Sequence, residues 1–276
     1  MRMTRTLSAS LLALALAACT TNTPLSSTST DAPRSLAGAV SAADPRAQAA
    51  GEEMLARGGS ATDAAIAVML ALGVVEPQSS GIGGGGFMVR GTADGSVGTF
   101  DGRETAPASA TPDWFLDENG QLPPFIESVR SGLSVGVPGN IALAAKAHAA
   151  YGKLPWASLF EPAIKLARQG FEMNPRLNGM LESARNRSAH SAQARSIFFD
   201  AEGQPLPVGT VVKNEQLAQT LETIARGGRE AFYSGDTARA IATTVASDTP
   251  HTDAMTYSDV TSYNAKARDA VCGSYR

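Results

Sequence analysis

Serine and threonine are common in this 276-residue sequence, but the histidines that could activate a nucleophile are few and scattered. The three histidines, His148, His190 and His251, lie far apart and have no neighbouring partner for acid–base work. The two Thr-Thr pairs stand at 20–21 and 243–244, and neither is followed by histidine. A nucleophile needs a base within reach, yet no Ser–His–Asp, Cys–His or metal-binding pattern is recognisable. The histidines are therefore predicted on the surface or on helix faces.

The most unusual stretch is the run Gly81-Ile82-Gly83-Gly84-Gly85-Gly86. Five glycines in six positions allow positive φ angles and a close approach of the backbone to another chain segment or a ligand. The run fits the letters G-x-G-x-x-G, but a dinucleotide-binding turn follows a strand and opens a helix. Here a helix pattern over 62–75 precedes the run and a strand pattern over 87–90 follows it. We therefore predict a structural role for these glycines and no nucleotide binding.

The elements around this run predict a mixed α and β chain. Asp44 before Pro45 is a helix-start signal, and Ser60 with Asp63 forms a capping box. Apolar periodicity predicts helices from Pro45 to the glycines at 58–59 and over 62–75, 140–151, 159–169, 212–227 and 237–246. Strands are predicted over 87–90, 97–101, 134–137 and 265–276. Residues 176–194 are predicted as an exposed helix or hairpin, and 111–124 as a polar segment held by Trp114 and Phe115.

Composition describes an ordered chain without a nucleic-acid surface. Hydrophobic residues make up 43% and charged residues 18%, so a chain of this length can bury a sizeable core. The net charge is −3 and no basic cluster stands out, so nucleic-acid binding is not predicted.

The stretch from residue 58 to 107 resembles the large-subunit part of gamma-glutamyltranspeptidase. The matching segments are Gly58-Gly59-Ser60-Ala61-Thr62-Asp63-Ala64-Ala65, Leu72-Gly73-Val74-Val75-Glu76-Pro77, the glycine run, and Asp101-Gly102-Arg103-Glu104-Thr105-Ala106-Pro107. Weaker similarities follow at 136–139 and 231–236. The resemblance covers residues 38–276 and implies an α+β Ntn-hydrolase fold. That fold is a four-layer αββα sandwich, of which this chain would hold an incomplete, large-subunit part.

The resemblance also implies a mechanism whose nucleophile is missing here. In this family an N-terminal threonine, freed by self-cleavage in a Thr-Thr-His-type segment, attacks the gamma-glutamyl amide and forms an acyl-enzyme. Neither Thr-Thr pair matches that segment, so the threonine is expected beyond residue 276 and the chain alone is expected to be inactive. The implied partners are gamma-glutamyl compounds such as glutathione and a small-subunit segment. The resemblance implies no metal or organic cofactor.

Arg103 and Glu104 are the substrate-binding residues that the resemblance implies. A glutamyl substrate carries an α-carboxylate, which a guanidinium holds with two charge-assisted hydrogen bonds, and the family's matching arginine has this role. The alternative is a structural ion pair of Arg103 with Glu104 or Asp101. Glu104 would either orient Arg103 or cap the chain locally.

The N-terminus predicts export and a lipid anchor. Arg2 and Arg5 precede a short apolar segment, and residues 1–18 are interpreted as a lipoprotein signal peptide. The segment ends in Leu16-Ala17-Ala18-Cys19, which resembles a bacterial lipobox and implies lipid on Cys19; an ordinary secretory leader is the alternative. Residues 19–37 are predicted as a Ser/Thr/Pro-rich tether. The predicted location is the periplasm, on the membrane, and Cys272 then has no internal disulfide partner.

Three interpretations of the whole chain stay open. The alternating pattern over 265–276 runs to the last residue, which predicts a domain truncated at its C-terminus. The chain is then the large-subunit portion of a gamma-glutamyltransferase, or of a cephalosporin acylase-like relative. Otherwise it is a catalytically dead gamma-glutamyl-binding lipoprotein, or a truncated gene product without function.

Overall fold

The computed structural model describes residues 38–251 and 253–274. The predicted leader 1–18 and the whole predicted tether 19–37, with Cys19, therefore lie outside the described residues, as do the final two residues. Within the described part, no helix combines the length and apolar character needed to cross a membrane.

Twelve α-helices and five short strands make up the described residues, so the predicted α+β class is confirmed. The helices are α1 (Pro45–Ala56), α2 (Ala61–Val75), α3 (Phe125–Arg130), α4 (Asn140–Tyr151), α5 (Glu161–Gln169), α6 (Pro175–Ser183), α7 (Arg185–Ser188), α8 (Ala192–Phe198), α9 (Glu215–Gly227), α10 (Glu230–Tyr233), α11 (Gly235–Ser247) and α12 (Tyr257–Ser262). The strands are β1 (Gly86–Gly91), β2 (Val97–Gly102), β3 (Phe171–Glu172), β4 (Val211–Val212) and β5 (Lys266–Arg268). Two 3-10 segments cover Gly132–Ser134 and Trp156–Phe160.

The predicted start signals of α1 and α2 form as expected. The side chain of Asp44 accepts a hydrogen bond from the backbone N–H of Arg46, with Pro45 in the first helical turn. The Ser60 hydroxyl accepts from the N–H of Asp63, whose carboxylate accepts from the N–H of Ser60 in return. Each cap satisfies backbone donors that the first helical turn leaves open.

A helical core forms where α2 packs against α1 and α5, and where α5 packs against α9. Its interior includes Ile66, Leu70, Phe160, Leu221 and Ile224, all at most 1% exposed. The apolar run of α2 is buried because helices cover it on several sides. These helices and their side chains form the "helical core" of the chain.

The three antiparallel strands β1, β2 and β5 form a sheet in the order β1-β2-β5. Met88 and Phe100 lie opposite each other and pack towards Leu143 and Tyr151 of α4. Side chains alternate between the faces of a strand, so their neighbours point the other way. Phe87 and Val89 on that "outer face" are 67% and 70% exposed. One face of the sheet is therefore packed, whereas the other exposes apolar side chains.

Several sequence-based predictions are wrong in their detail. Residues 134–137 form no strand, because Ser134 ends a 3-10 segment and Val137 makes one isolated bridge with Thr105. Of the strand predicted over 265–276, Lys266–Arg268 is the only part that pairs among the described residues, and it pairs with β2. Phe115 is 41% exposed, so Trp114 alone is buried in its segment.

The predicted exposed segment 176–194 instead contains α6, α7 and the start of α8. Leu177 and Leu181 of α6 are buried, so the segment is only partly exposed. Helix α12, which begins with a Thr256–Asp259 capping box, lies outside the helices predicted from the sequence.

Candidate functional site

Arg103 follows the last residue of β2 and points its side chain into solvent, with 62% of that side chain exposed. The Arg103 backbone N–H donates to Asp101 Oδ1 at 2.9 Å, which fixes the turn after the strand. Its Nε lies 3.2 Å from Glu104 Oε2, within ion-pair distance. The guanidinium makes no other ion pair among the described residues. Both the predicted ion pair and a free binding face of Arg103 are therefore present together.

Glu104 has a partly exposed carboxylate beside this guanidinium. Its side chain is 26% exposed, and Oε2 itself is buried but accepts no hydrogen bond from the described residues. The Arg103 Nε contact therefore meets the distance of an ion pair without hydrogen-bond geometry. A buried carboxylate oxygen without a donor is costly, and the carboxylate charge next to it can be compensated by a cationic ligand on the exposed side.

The glycine run packs directly behind Glu104. A Cβ at Gly85 would lie 2.5 Å from the Gly102 carbonyl oxygen and 2.7 Å from Glu104 Oε2, so no larger residue fits. The expected positive φ angles are wrong, since no glycine of the 81–86 run has one. Close approach of the neighbouring backbone therefore explains why position 85 is a glycine.

The same run seats the start of α4. The Gly84 carbonyl accepts hydrogen bonds from the backbone N–H groups of Gly139 and Asn140, at 2.9 and 3.0 Å. The Asn140 side-chain amide donates to the Gly81 carbonyl at 2.7 Å. Donors at the first turn of α4 are thereby satisfied by the loop instead of by a side-chain cap. The loop, α4 and the Arg103 turn are consequently held as one unit.

Tyr263 is a site residue that the sequence did not reveal. Its hydroxyl donates to the Arg103 carbonyl at 2.7 Å, across 160 positions of sequence. Its ring stacks on Tyr233 at 5.8 Å, and the Arg229 guanidinium lies 4.7 Å from the centre of the Tyr233 ring. Burial, with the nearby carboxylates of Asp101 and Glu104, raises the pKa of Tyr263 to about 12. The phenol thus stays protonated and able to donate to Arg103.

Asp101 ties β5 to the same turn. Its Oδ2 accepts from Arg268 Nε at 2.6 Å, and Thr99 Oγ1 donates to the Arg268 carbonyl at 2.6 Å. Hydrogen bonds from the Arg103 N–H and the Arg268 guanidinium lower the pKa of Asp101. The partner of Asp101 is therefore Arg268, which leaves the Arg103 side chain outside that pair.

The structure does not bring the candidate nucleophiles and bases to Arg103. Thr243 and Thr244 are exposed on α11. His148 bonds the Leu154 carbonyl at 2.8 Å, and His251 bonds the Trp114 carbonyl at 2.9 Å. Within residues 38–251 and 253–274, no group of three His, Cys, Asp or Glu could hold a metal ion. Grooves of about 760, 710 and 560 Å³ are lined by other residues than Arg103 and Glu104.

Residues 47–276 match the family model described as Gamma-glutamyltranspeptidase. The glutathione hydrolase proenzyme of Bacillus subtilis (strain 168) is 38% identical over 242 residues, which is 87% of this chain and 40% of the relative. The chain spans about two fifths of the length of the curated relatives it matches.

Solved structures give the same result. The chain is similar to the crystal structure of Helicobacter pylori gamma-glutamyltranspeptidase, with a TM-score of 0.81, 36% identity and coverage of 87% of this chain and 67% of that one. It is also similar to a cephalosporin acylase from Bacillus halodurans, with a TM-score of 0.70, 30% identity and coverage of 83% and 42%. The predicted Ntn-hydrolase fold class is thereby confirmed.

Proposed function

Because this chain belongs to the gamma-glutamyltranspeptidase family, we propose that it is the large-subunit portion of a gamma-glutamyltransferase or glutathione hydrolase. The observation that carries the proposal is the exposed Arg103 guanidinium beside the unpartnered Glu104 Oε2. A cation and a partly exposed carboxylate side by side match the head of an α-amino acid, which carries a carboxylate and an ammonium group.

The head of a gamma-glutamyl substrate would bind across these two residues. Its α-carboxylate would accept hydrogen bonds from Arg103, which has a planar fork of donors and an exposed side chain. Its α-ammonium would bind the Glu104 carboxylate from the solvent side, where 26% of that side chain is exposed. Binding in this way would leave the γ-amide free to extend away from the Arg103 turn towards a nucleophile.

The nucleophile is proposed to be the N-terminal threonine of a small subunit outside these 276 residues. Its hydroxyl oxygen adds to the γ-carbonyl carbon while its own amino group takes the proton. The amide nitrogen then leaves as an amine with that proton, and an ester to glutamate remains. Water releases glutamate from the ester, whereas an acceptor amine takes the gamma-glutamyl group. The contribution of this chain is to hold and orient the glutamyl head.

The outer face of the sheet supports such a two-part enzyme. Phe87 and Val89 expose most of their side chains on neighbouring positions of one face. Apolar patches of this kind mark surfaces that another polypeptide covers. We propose that the small subunit packs here, close to the Asp101 end of β2, because Phe87 lies directly opposite Asp101.

A cephalosporin acylase-like activity is the second candidate, favoured by the similarity at 30% identity. A glutaryl amide offers a direct comparison, because a glutaryl group differs from gamma-glutamyl only by its missing α-ammonium. With that substrate Glu104 would stay unpaired, so the site favours gamma-glutamyl amides.

The decisive experiment is hydrolysis of gamma-glutamyl and glutaryl anilides by the purified chain, with and without a co-expressed small subunit of a relative. Activity is expected only with the small subunit. Arg103→Ala should raise KM by about tenfold to a hundredfold, the loss of a charged hydrogen-bonded pair. Glu104→Gln should remove the preference for gamma-glutamyl. Arg187→Ala, an exposed arginine of α7, is the matched control and should change neither value.

Each contrary outcome has its own meaning. Activity of the chain alone would contradict the missing nucleophile. If neither preparation hydrolyses the anilides but calorimetry shows glutathione binding that depends on Arg103, the binding-lipoprotein alternative is supported. If there is neither hydrolysis nor binding, a gene product without function is supported.

Export and lipid attachment are proposed from the sequence of residues 1–19. Labelled palmitate should enter the chain in a bacterial host and should be lost in Cys19→Ala, while Cys272→Ala should keep the label. Equal labelling of both variants would contradict the lipobox and leave an ordinary leader.

A further inference from the structure

A groove far along the sheet from Arg103 has the chemistry of a second ligand site. It has a volume of about 710 Å³, within the range that small-molecule sites occupy. Its walls come from the chain before α1, the exposed side of α2, and the ends of β1 and α4. This "Tyr151 groove" is lined by Gly38, Ala39, Val40, Ser41, Leu55, Gly59, Ser60, Ala61, Ala64, Ala65, Val68, Arg90, Tyr151 and Lys153.

Two cations stand at one end of the Tyr151 groove. The Arg90 guanidinium carbon lies over the Tyr151 ring, 4.0 Å from its centre, in a cation–π contact that favours this position of the guanidinium. Lys153 is exposed and close in sequence to Tyr151. Neither cation has an ion-pair partner among the described residues, and the lining contains no carboxylate.

The buried carboxylate of Asp63 binds the backbone next to this groove through one of its two oxygens. Asp63 is fully buried, and its Oδ2 accepts from the N–H groups of Ser60, Lys153 and Leu154. This carboxylate therefore holds the backbone of Lys153 in place and leaves the Lys153 ammonium in solvent. The cationic end of the groove keeps its charge for a ligand.

The other walls are apolar and held in place. Val40 fits between α1 and α2, since a Cβ at Gly51 would lie 2.9 Å from Val40 Cγ1 and 2.7 Å from Val68 Cγ2. Leu55 and the small side chains of Ala61 and Ala65 complete the wall. The small residues leave room that the neighbouring helices do not fill.

We propose that the Tyr151 groove binds an amphipathic anion, with a carboxylate or phosphate head on Arg90 and Lys153 and an apolar body along Val40 and Val68. The planar guanidinium of an arginine suits an oxyanion, which can accept two parallel hydrogen bonds. The apolar body gains from leaving water at a wall that is already formed. This site shares no residue with the Arg103 site, so it goes beyond the proposed enzyme function.

The test is calorimetry of the full chain with three probes below their micelle concentrations. Dodecanoate has head and tail, dodecyltrimethylammonium has the tail with the opposite charge, and acetate has the head alone. Dodecanoate is expected to bind at least about tenfold more tightly than either, the scale of one charged hydrogen-bonded pair. Equal binding of the two dodecyl probes would overturn the proposal, and so would a lack of dodecanoate binding.

Variants place the ligand in this groove. Arg90→Gln and Lys153→Gln should each weaken dodecanoate binding several-fold, whereas Lys146→Gln on the exposed side of α4 should not. Ala65 is exposed on α2, so Ala65→Glu should weaken binding and Ala65→Lys should strengthen it, with little effect on the fold. Binding that ignores both changes at Ala65 would contradict the assignment.

A vesicle measurement then separates two sources of the same chemistry. Retention on phosphatidylglycerol vesicles, lost in Arg90→Gln, would assign the anion to a lipid surface. Dodecanoate binding without retention would assign a free amphiphile. If Arg90→Gln is retained on the vesicles as well as the native chain, the proposal that this groove binds anionic lipid is wrong.

Discussion

The helical core and the three-stranded sheet bury apolar side chains to very different degrees. Phe160 in the helical core is completely buried, whereas Phe87 on the outer face of the sheet is 67% exposed. Both side chains are phenylalanines, so residue type does not cause the difference. The core is covered by its own helices, while the outer face has no covering element among the described residues.

This contrast also separates stability from function. The helical core contains the capped, closely packed helices. The end of β2 in the sheet is followed by the exposed Arg103 and the partly exposed Glu104. A site on the less protected side can meet a substrate and a second polypeptide. The helical core supplies the rigid support that such a site needs.

The largest expected effect compares the two phenylalanines directly. Phe160→Ala should lower the free energy of unfolding by about 3–5 kcal/mol, because it removes a buried ring and leaves a cavity. Phe87→Ala should change it by less than about 0.5 kcal/mol, as an exposed substitution does. Urea unfolding of both variants measures this. Similar losses would show that the outer face is covered in solution.

A smaller effect is expected at the cap that joins α2 to the end of α4. Asp63→Asn should lower the free energy of unfolding by about 1–3 kcal/mol at neutral pH, because a buried acceptor loses charge-assisted hydrogen bonds. Burial acts to raise the pKa of Asp63, but hydrogen bonds from Ser60, Lys153 and Leu154 lower it below the model-compound value of 3.8. The stabilisation is therefore complete above pH 3.8 and is lost as pH falls through the lower folded-state pKa.

Unfolding titrations of the native chain and of Asp63→Asn at a series of acidic pH values test this sign. The native chain should lose stability more steeply below pH 3.8 than the variant does. Parallel curves would mean that Asp63 does not cause the acid sensitivity. An exposed carboxylate variant, Glu118→Gln, serves as the control.

Tyr263→Phe should lower the free energy of unfolding by about 1 kcal/mol, the usual contribution of one hydrogen bond. The change removes only the hydroxyl that donates to the Arg103 carbonyl and keeps the ring stacked on Tyr233. With a small subunit present, KM for the gamma-glutamyl anilide should rise and kcat should stay near its native value. Tyr257→Phe, on the exposed side of α12, should change neither. An unchanged KM would restrict Tyr263 to a structural role.

The smallest effect is expected at the edge of the sheet. Arg268→Gln removes the contact with Asp101 that holds the three-residue β5 beside β2. Amide hydrogens of β5 should exchange faster, because a short edge strand has little else to hold it, while the midpoint of thermal unfolding stays unchanged. High salt should produce the same acceleration in the native chain. Slow exchange in the variant would show that β5 is held by its backbone pairing.

Local signals explain why much of the fold could be predicted. Asp44, Ser60 and Asp63 cap their helices through residues two or three positions away, so sequence reading found α1 and α2. Helix α4 agrees with the predicted 140–151, and β1 and β2 contain the predicted strands. The Thr256–Asp259 capping box is a local signal of the same kind, and it marks the start of α12.

Long-range contacts explain what could not be predicted. The pairing of β5 depends on β2, which lies more than 160 positions earlier. Among the described residues, the alternating sequence after Arg268 pairs with no other strand. The contact of Tyr263 with Arg103 leaves no periodic trace at all. Arg103 and Glu104 were found because a family motif contains them, and their proposed roles still await the experiments above.

Three glycines place the strand end, the glycine run and the start of α4 in mutual backbone contact. A Cβ at Gly139 would lie 1.9 Å from the Gly102 carbonyl oxygen, and one at Gly85 would lie 2.5 Å from the same atom. No single substitution at either position can be relieved by a change at the other, because both would press on one backbone oxygen. A side chain is therefore excluded at both positions by the backbone itself, whereas the exposed Phe87 and Val89 of the outer face meet no such limit.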